Sequence, residues 1–295
     1  LLTPVDVRTW LLAARPPTLW AAVAPVLVGS ALAVDDGAFR WDAFIATLAA
    51  AVLIQVGVNY ANDYSDGVRG TDGEDRIGPR RAVASGMATP RQMRHAIGLV
   101  FGVAALLGLY LATIAGPVII VIGVLSIIAA LGYTGGPVPY GYRGLGEVFV
   151  FVFFGLVATV GTRFVYDRTA PADAWVGGVV MGLLATAILV ANNIRDIETD
   201  RRAGKRTLAV MLGRRRSQRL FVAIVAAAFV VPLVAIAADV LPPWCALVLV
   251  AVPLAVPVVR TIASEVGGPQ LIAALKGTAR LQLAMGLLLA GGVLL

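Results

Sequence analysis

The chain has 295 residues, of which 59% are hydrophobic and only 14% charged, with a net charge of +7. A soluble domain carries roughly 25% charged residues, so the bilayer is the natural solvent for this composition. One cysteine, Cys245, and one histidine, His95, exclude an internal disulfide, a Cys-based zinc or iron–sulfur site and a His-rich metal or haem site.

In chain order, nine apolar runs of roughly 17–23 residues are each long enough to cross a ~30 Å hydrocarbon core. They cover approximately 17–34, 42–64, 94–114, 117–133, 146–166, 174–194, 218–238, 243–262 and 278–295. Only Gly116 and Pro117 separate the third from the fourth, and the last is Gly-rich. The predicted fold class is an all-α membrane protein, with nine transmembrane helices in a single domain over 1–295. No polar linker divides it. The sequence begins at Leu1 without a Met, which is compatible with a longer natural N-terminus, and no cleavable signal peptide is expected.

Cations are distributed unevenly between alternate loops. Of the 24 Lys and Arg, all but Arg40, Arg163 and Arg168 fall on the side that carries the N-terminus. The positive-inside rule then places the N-terminus and the long loops in the cytoplasm of a multi-pass inner-membrane protein. These charges point to anionic lipid heads or an anionic substrate rather than nucleic acid. The two long loops, about 65–93 and 195–217, each follow an even-numbered span. Two pseudo-repeats, roughly 1–133 and 134–260, plus a last helix are predicted from this.

The chemistry is concentrated where those loops begin. Asn59, Asn62, Asp63 and Asp66 follow i, i+3, i+4, i+7 spacing and share one helix face. Gly67 and Gly70 then break the helix, and Asp72 can fold back from the loop. In the second half, Asn192, Asp196 and Asp200 are spaced i, i+4, i+8. Like carboxylates one turn apart repel, and near a membrane they also carry a desolvation cost. A divalent cation removes both penalties. Oxygen donors of this kind suit Mg²⁺, which shares phosphate oxygens with its substrate. Two facing clusters could hold two Mg²⁺ ions around a diphosphate, with Asp63, Asp66, Asp72, Asp196, Asp200 and Asn59 as candidate metal ligands. Asn62 and Asn192 are candidate substrate-binding groups. For Asn59 the alternative is an interhelical hydrogen bond.

Cations trail each cluster: Arg76, Arg80 and Arg81 after the first, Lys205 and Arg206 after the second. They are candidates to grip phosphate oxygens and stabilise a departing diphosphate. Tyr133, ending the fourth run, could stabilise a cation through its ring face or serve as an interfacial tyrosine. Tyr140 and Tyr142 read as loop anchors. Arg143 and Arg15 could each pair with a carboxylate on an aromatic substrate, or act as interfacial anchors. His95 reads as a surface residue at a helix start.

This pattern resembles the UbiA-type membrane prenyltransferases over essentially the whole chain. Their first motif matches Asn62, Asp63, Asp66 and a third acid, and their second matches Asp196 and Asp200. One departure is that Gly70 stands where the common third Asp falls, and the acid lies at Asp72. That variant resembles the branch acting on 1,4-dihydroxy-2-naphthoate, as do Arg15 to Thr18, Arg80 to Gly86, Arg195, Gly204 to Leu208 and Lys276 to Gln282. The resemblance implies a central cavity capped by cytoplasmic loops and Mg²⁺-dependent ionisation of a polyprenyl diphosphate. An aromatic acceptor would be attacked by the allylic cation and lose its carboxylate as CO₂. Within the superfamily, 4-hydroxybenzoate and other acceptors are alternatives. From another class, a membrane transporter shares the internal repeat and the Asn/Asp helix ends. Carriers place their charges near the midplane, however, and here the acids crowd one interface.

Overall fold

The computed structural model describes residues 5–70, 81–264 and 267–295. Among the described residues the secondary structure is entirely helical. The first helix, α1 (Val7–Ala14), starts where the Asp6 carboxylate accepts the Arg8 N–H at 3.0 Å. It stops at Arg15, whose backbone is left-handed (φ 51°), and Pro16–Thr18 form a 3₁₀ turn. The chain then continues as α2 (Trp20–Asp35), bent 54° from the preceding segment. Two consecutive prolines lack the N–H groups that a continuous helix would use.

The next helix, α3 (Trp41–Arg69), has 29 residues and is closed by Gly70 in the left-handed region at φ 67°. A capping box of Thr89 and Gln92 opens α4 (Pro90–Ala115), and the Gly116–Pro117 turn leads into α5 (Val118–Gly132). The sixth helix, α6 (Gly146–Asp167), contains a π segment, Val152–Val157. The longest is α7 (Ala172–Arg202), with 31 residues. A short α8 (Leu208–Leu212), capped by Thr207, precedes α9 (Arg214–Ala237). The last two are α10 (Pro243–Ala263), whose first half is 3₁₀, and α11 (Pro269–Val293).

Seven of these helices are long and apolar enough to cross a membrane, and an eighth if the bent α1–α2 pair is one span. The sequence expectation of nine spans also counts α5, which has 15 residues, fewer than the ~20 usual for a span. The main core lies between α2, α7, α9, α10 and α11, where Met181, Leu184, Phe221, Leu281 and Met285 are fully buried. In contrast Leu99, Leu106, Val121, Val124 and Ile128 on α4 and α5 are exposed, as lipid-facing side chains would be. At one end of the bundle Arg163 of α6 pairs with Asp167 and with Asp36, which follows α2. Both acidic clusters lie at the other end.

A candidate active site at the ends of α3 and α7

The two helices that carry the acids are longer than a hydrocarbon core requires. At 1.5 Å per residue, α3 and α7 are about 44 and 46 Å long against a ~30 Å hydrocarbon core. Their final turns can therefore stand in the interface, where carboxylates are solvated or paired. Those turns meet over a cavity of about 730 Å³ that runs down between the helices.

Asp66 is the centre of the mouth. It is 2% exposed and accepts from Arg81 at 2.7 Å and from Lys205 Nζ at 3.1 Å. The Tyr142 hydroxyl also donates to it, and the Lys205 ammonium stands 4.7 Å from the centre of the Tyr142 ring. Three segments separate in sequence from α3 thus converge on one carboxylate. A charge this buried persists only when paired.

The other members of the first cluster divide their roles. Asp63 is buried and accepts the backbone N–H groups of Ala82 and Val83 at 2.8 and 2.9 Å. It thereby holds the returning chain, including Arg81, against α3, and it does not lie on the cavity wall. Asn62 accepts from the Thr134 hydroxyl at 2.8 Å, joining α3 to the end of α5. Asn59 donates both amide protons, to the Ala14 carbonyl at 2.8 Å and to Thr18 Oγ1 at 3.1 Å. The interhelical bond is therefore present, and because Nδ2 is committed to it, the amide oxygen is the end left for the cavity that Asn59 lines.

On α7, Arg195 grips Asp196 with two bonds of 2.7 and 2.6 Å and donates to Asn192 Oδ1 at 2.8 Å. Asn192, Asp196 and Asp200 all line the cavity, opposite Asp66. One turn inward, Asn193 donates to the buried Glu147 carboxylate at 3.0 Å. Arg195, Tyr142 and the Glu147–Asn193 pair are polar elements of the site beyond the candidates drawn from sequence.

Below the mouth the wall is aromatic and then aliphatic. Tyr133 packs edge-on against Tyr140 (5.5 Å), which stacks on Phe149 (3.9 Å), followed by Phe153. Tyr140 donates its hydroxyl to the Ala129 carbonyl at 2.7 Å, and burial pushes that phenol's pKa up. Tyr133 can sit this close because Gly141 and Gly146 lack side chains. A Cβ on Gly146 would lie 3.2 Å from its ring. Arg15 also lines the cavity, at the α1–α2 break. Arg143 and Arg206 are exposed and do not line it. Asp72, Arg76 and Arg80 lie outside the described residues.

Carboxylate and amide oxygens on facing walls are hard donors, the type that divalent cations such as Mg²⁺ prefer. Among the described residues no three acids, histidines or cysteines are close enough to form a metal site alone. That donor set fits an ion whose remaining ligands come from water and from a phosphate-bearing substrate. Asp66, Asp196, Asp200 and Asn59 are the residues positioned to contribute.

A family model described as the UbiA prenyltransferase family matches residues 22–268. The chain belongs to that family. The UbiA chain is 46% identical over 287 residues to a Mycobacterium tuberculosis (strain ATCC 25618 / H37Rv) protein named 1,4-dihydroxy-2-naphthoate octaprenyltransferase, covering 96% of each. It is 43% identical over 290 residues to the protein of the same name from Mycobacterium leprae (strain TN), covering 97% of this chain and 96% of the relative. Among solved structures, a UbiA homolog from Archaeoglobus fulgidus bound to GPP and Mg²⁺ superimposes with a TM-score of 0.67. That match covers 96% of this chain and 99% of the other at 12% identity, so it speaks to the fold.

Proposed function

We propose that this enzyme transfers a polyprenyl chain from a polyprenyl diphosphate to 1,4-dihydroxy-2-naphthoate, with loss of CO₂, in menaquinone biosynthesis. The observation that carries the reading is one continuous cavity with acids and cations at its mouth and an aromatic, then aliphatic, interior. Such a cavity suits a substrate that is a diphosphate at one end and a hydrocarbon along its length. The mycobacterial relatives' name supplies the acceptor.

The chain's residues would act as follows. Arg81 and Lys205, held beside Asp66, reach the phosphate oxygens and stabilise charge as the C–O bond breaks. When bound, Mg²⁺ supplies Lewis-acid stabilisation of that same charge, with Asp66, Asp196, Asp200, Asn59 and the loop's Asp72 as its candidate ligands. Tyr133 is the ring placed to stabilise the allylic cation, and the apolar wall keeps water from quenching it. The ring exchanges its carboxylate for the prenyl group: one C–C bond forms, CO₂ leaves, diphosphate departs with the C–O electron pair, and no net proton is needed. Arg15, on the cavity wall, is better placed than Arg143 to meet the acceptor's carboxylate. The full membrane arrangement is nine spans in two like-oriented halves, with two cytoplasmic loops over the mouth and two Mg²⁺ ions.

The test is purified protein with Mg²⁺ and a long polyprenyl diphosphate, offered the naphthoate and 4-hydroxybenzoate in turn. The naphthoate product should have gained a prenyl group and lost CO₂. A preference for 4-hydroxybenzoate, or retention of the carboxyl group, would overturn the acceptor while leaving prenyl transfer intact.

A further inference from the structure

Among the described residues, two side chains on the cavity wall, Thr47 and Gln55, each hold a buried oxygen with no hydrogen-bond partner, and of the two only the Gln55 oxygen is purely an acceptor. Gln55, on α3 one turn deeper than Asn59, is 7% exposed and lines the cavity, and its Oε1 is buried without a hydrogen bond. A buried acceptor left unmade carries a free-energy penalty, and native proteins rarely leave one without a reason. Gln282 has a similar unpartnered oxygen, but it does not line the cavity.

The orientation of the Gln55 amide is fixed by a chain of donors. Thr18 Oγ1 gives its proton to the Arg15 carbonyl at 2.9 Å. Its oxygen is then only an acceptor, and it receives Asn59 Nδ2 at 3.1 Å and Gln55 Nε2 at 3.3 Å. Turning the Gln55 amide over would set two oxygens with no proton between them. Gln55 therefore keeps Nε2 on Thr18, and Oε1 remains the unsatisfied end. An amide oxygen accepts hydrogen bonds and repels anions, so neither a carboxylate nor a diphosphate satisfies it. An O–H or N–H donor does, as a cation would nearer the acids.

From this we infer that Gln55 forms a hydroxyl-recognising subsite, held in place by Thr18, that receives the 4-hydroxyl of the dihydroxynaphthoate ring. The inference rests on the acceptor proposed above. The 1-hydroxyl is ortho to the carboxylate and donates to it within the molecule, which leaves the 4-hydroxyl as the free donor. The depth is suitable. Gln55 lies four residues below Asn59 and eleven below Asp66, about 6 and 16 Å along the helix. A ring there lies beneath the diphosphate mouth, level with the upper cavity.

The experiment compares 1,4-dihydroxy-2-naphthoate with 1-hydroxy-2-naphthoate, which lacks only the 4-hydroxyl, in wild type and in Gln55→Met. The two rings differ in intrinsic reactivity, but that difference is common to both proteins and cancels in the ratio of their kcat/KM preferences. Wild type should favour the dihydroxy ring by about 10–100-fold more than Gln55→Met does, the range set by one unsatisfied buried acceptor. The KM for the prenyl diphosphate should not move. An unchanged preference in the variant, or an equal loss with both rings, would assign Gln55 a purely structural role and overturn the inference. If Gln55→Met does not fold, inhibition of wild type decides the question. There 1-hydroxy-2-naphthoate should bind at least about 10-fold more weakly than the parent, and equal binding overturns the subsite. A wild-type enzyme that does not prenylate the naphthoate refutes the acceptor assignment instead, and the subsite with it.

Discussion

Asp66 is bound by two cations and a phenol while almost fully buried. Removing its charge strands Arg81 and Lys205, and breaking a buried pair from one side costs about 3–5 kcal/mol. Asp196 is less buried, with 16% of its side chain exposed, and among the described residues its cation is Arg195. Asp66→Asn and Asp196→Asn should each lower turnover by at least about 10²–10³-fold at saturating Mg²⁺, while helical content by circular dichroism is retained. Asp66→Asn should also melt at a lower temperature than Asp196→Asn. Near wild-type turnover in either variant would remove that acid from the site. The acids were legible in the sequence because Asn and Asp recur at helical spacing where apolar runs end. Their partners were less so. Tyr142 lies 76 positions from Asp66, a pairing that no local spacing reveals. Arg195 adjoins Asp196 and is among the residues that resemble the branch, but its spacing assigns it no partner. Gln55 is one polar residue in an apolar run, and only its unpartnered oxygen distinguishes it from interhelical glue.

Apolar runs locate spans but not helix ends. The hydropathy of α3 and α7 falls off near 64 and 194, at the membrane surface, while the helices continue to Arg69 and Arg202. The last turns of both are polar, yet they hold Asp66, Asp196 and Asp200. The irregular segments were not legible either. The π segment of α6 is a contact device: a Cβ on Gly155 would lie 2.3 Å from the Gly182 Cα of α7 and 2.6 Å from the Gly178 carbonyl oxygen. These backbones touch, and nothing flexible can yield. Gly155→Val should therefore destabilise the bundle by at least about 1–3 kcal/mol, the cost of overpacking a tight contact, read as a lower melting temperature in detergent. The same substitution at Gly161, where a Cβ meets nothing within 4 Å, is the control and should leave melting nearly unchanged. Equal effects at both would mean that the α6–α7 contact is looser than the geometry requires.

At the scale of the whole molecule the two ends differ in chemistry. One carries Asp66, Arg81, Asp196 and Lys205, drawn together from α3 and α7 and the segments after them. The other carries the Arg163, Asp36 and Asp167 cluster, which ties the ends of α2 and α6. The sequence assigns all but three of the 24 cations to the first side, and the positive-inside rule predicts that a side so marked faces the cytoplasm. Prenyl diphosphate and naphthoate are anions that do not cross a bilayer unaided, so a cytoplasmic mouth is also where such substrates would be found. Orientation is tested with single cysteines in a Cys245→Ala background. The labelled positions must be accessible, which rules out Ser65 and Ser217, both buried. Ala84 and Arg215 are exposed on the side of the mouth, and Thr169 is exposed in the turn between α6 and α7 at the other end. An impermeant thiol reagent applied to intact cells should label Thr169→Cys and spare Ala84→Cys and Arg215→Cys. After the membrane is opened, all three should react. Labelling of Ala84→Cys or Arg215→Cys in intact cells, with Thr169→Cys protected, would invert the topology and place the mouth of the candidate site outside.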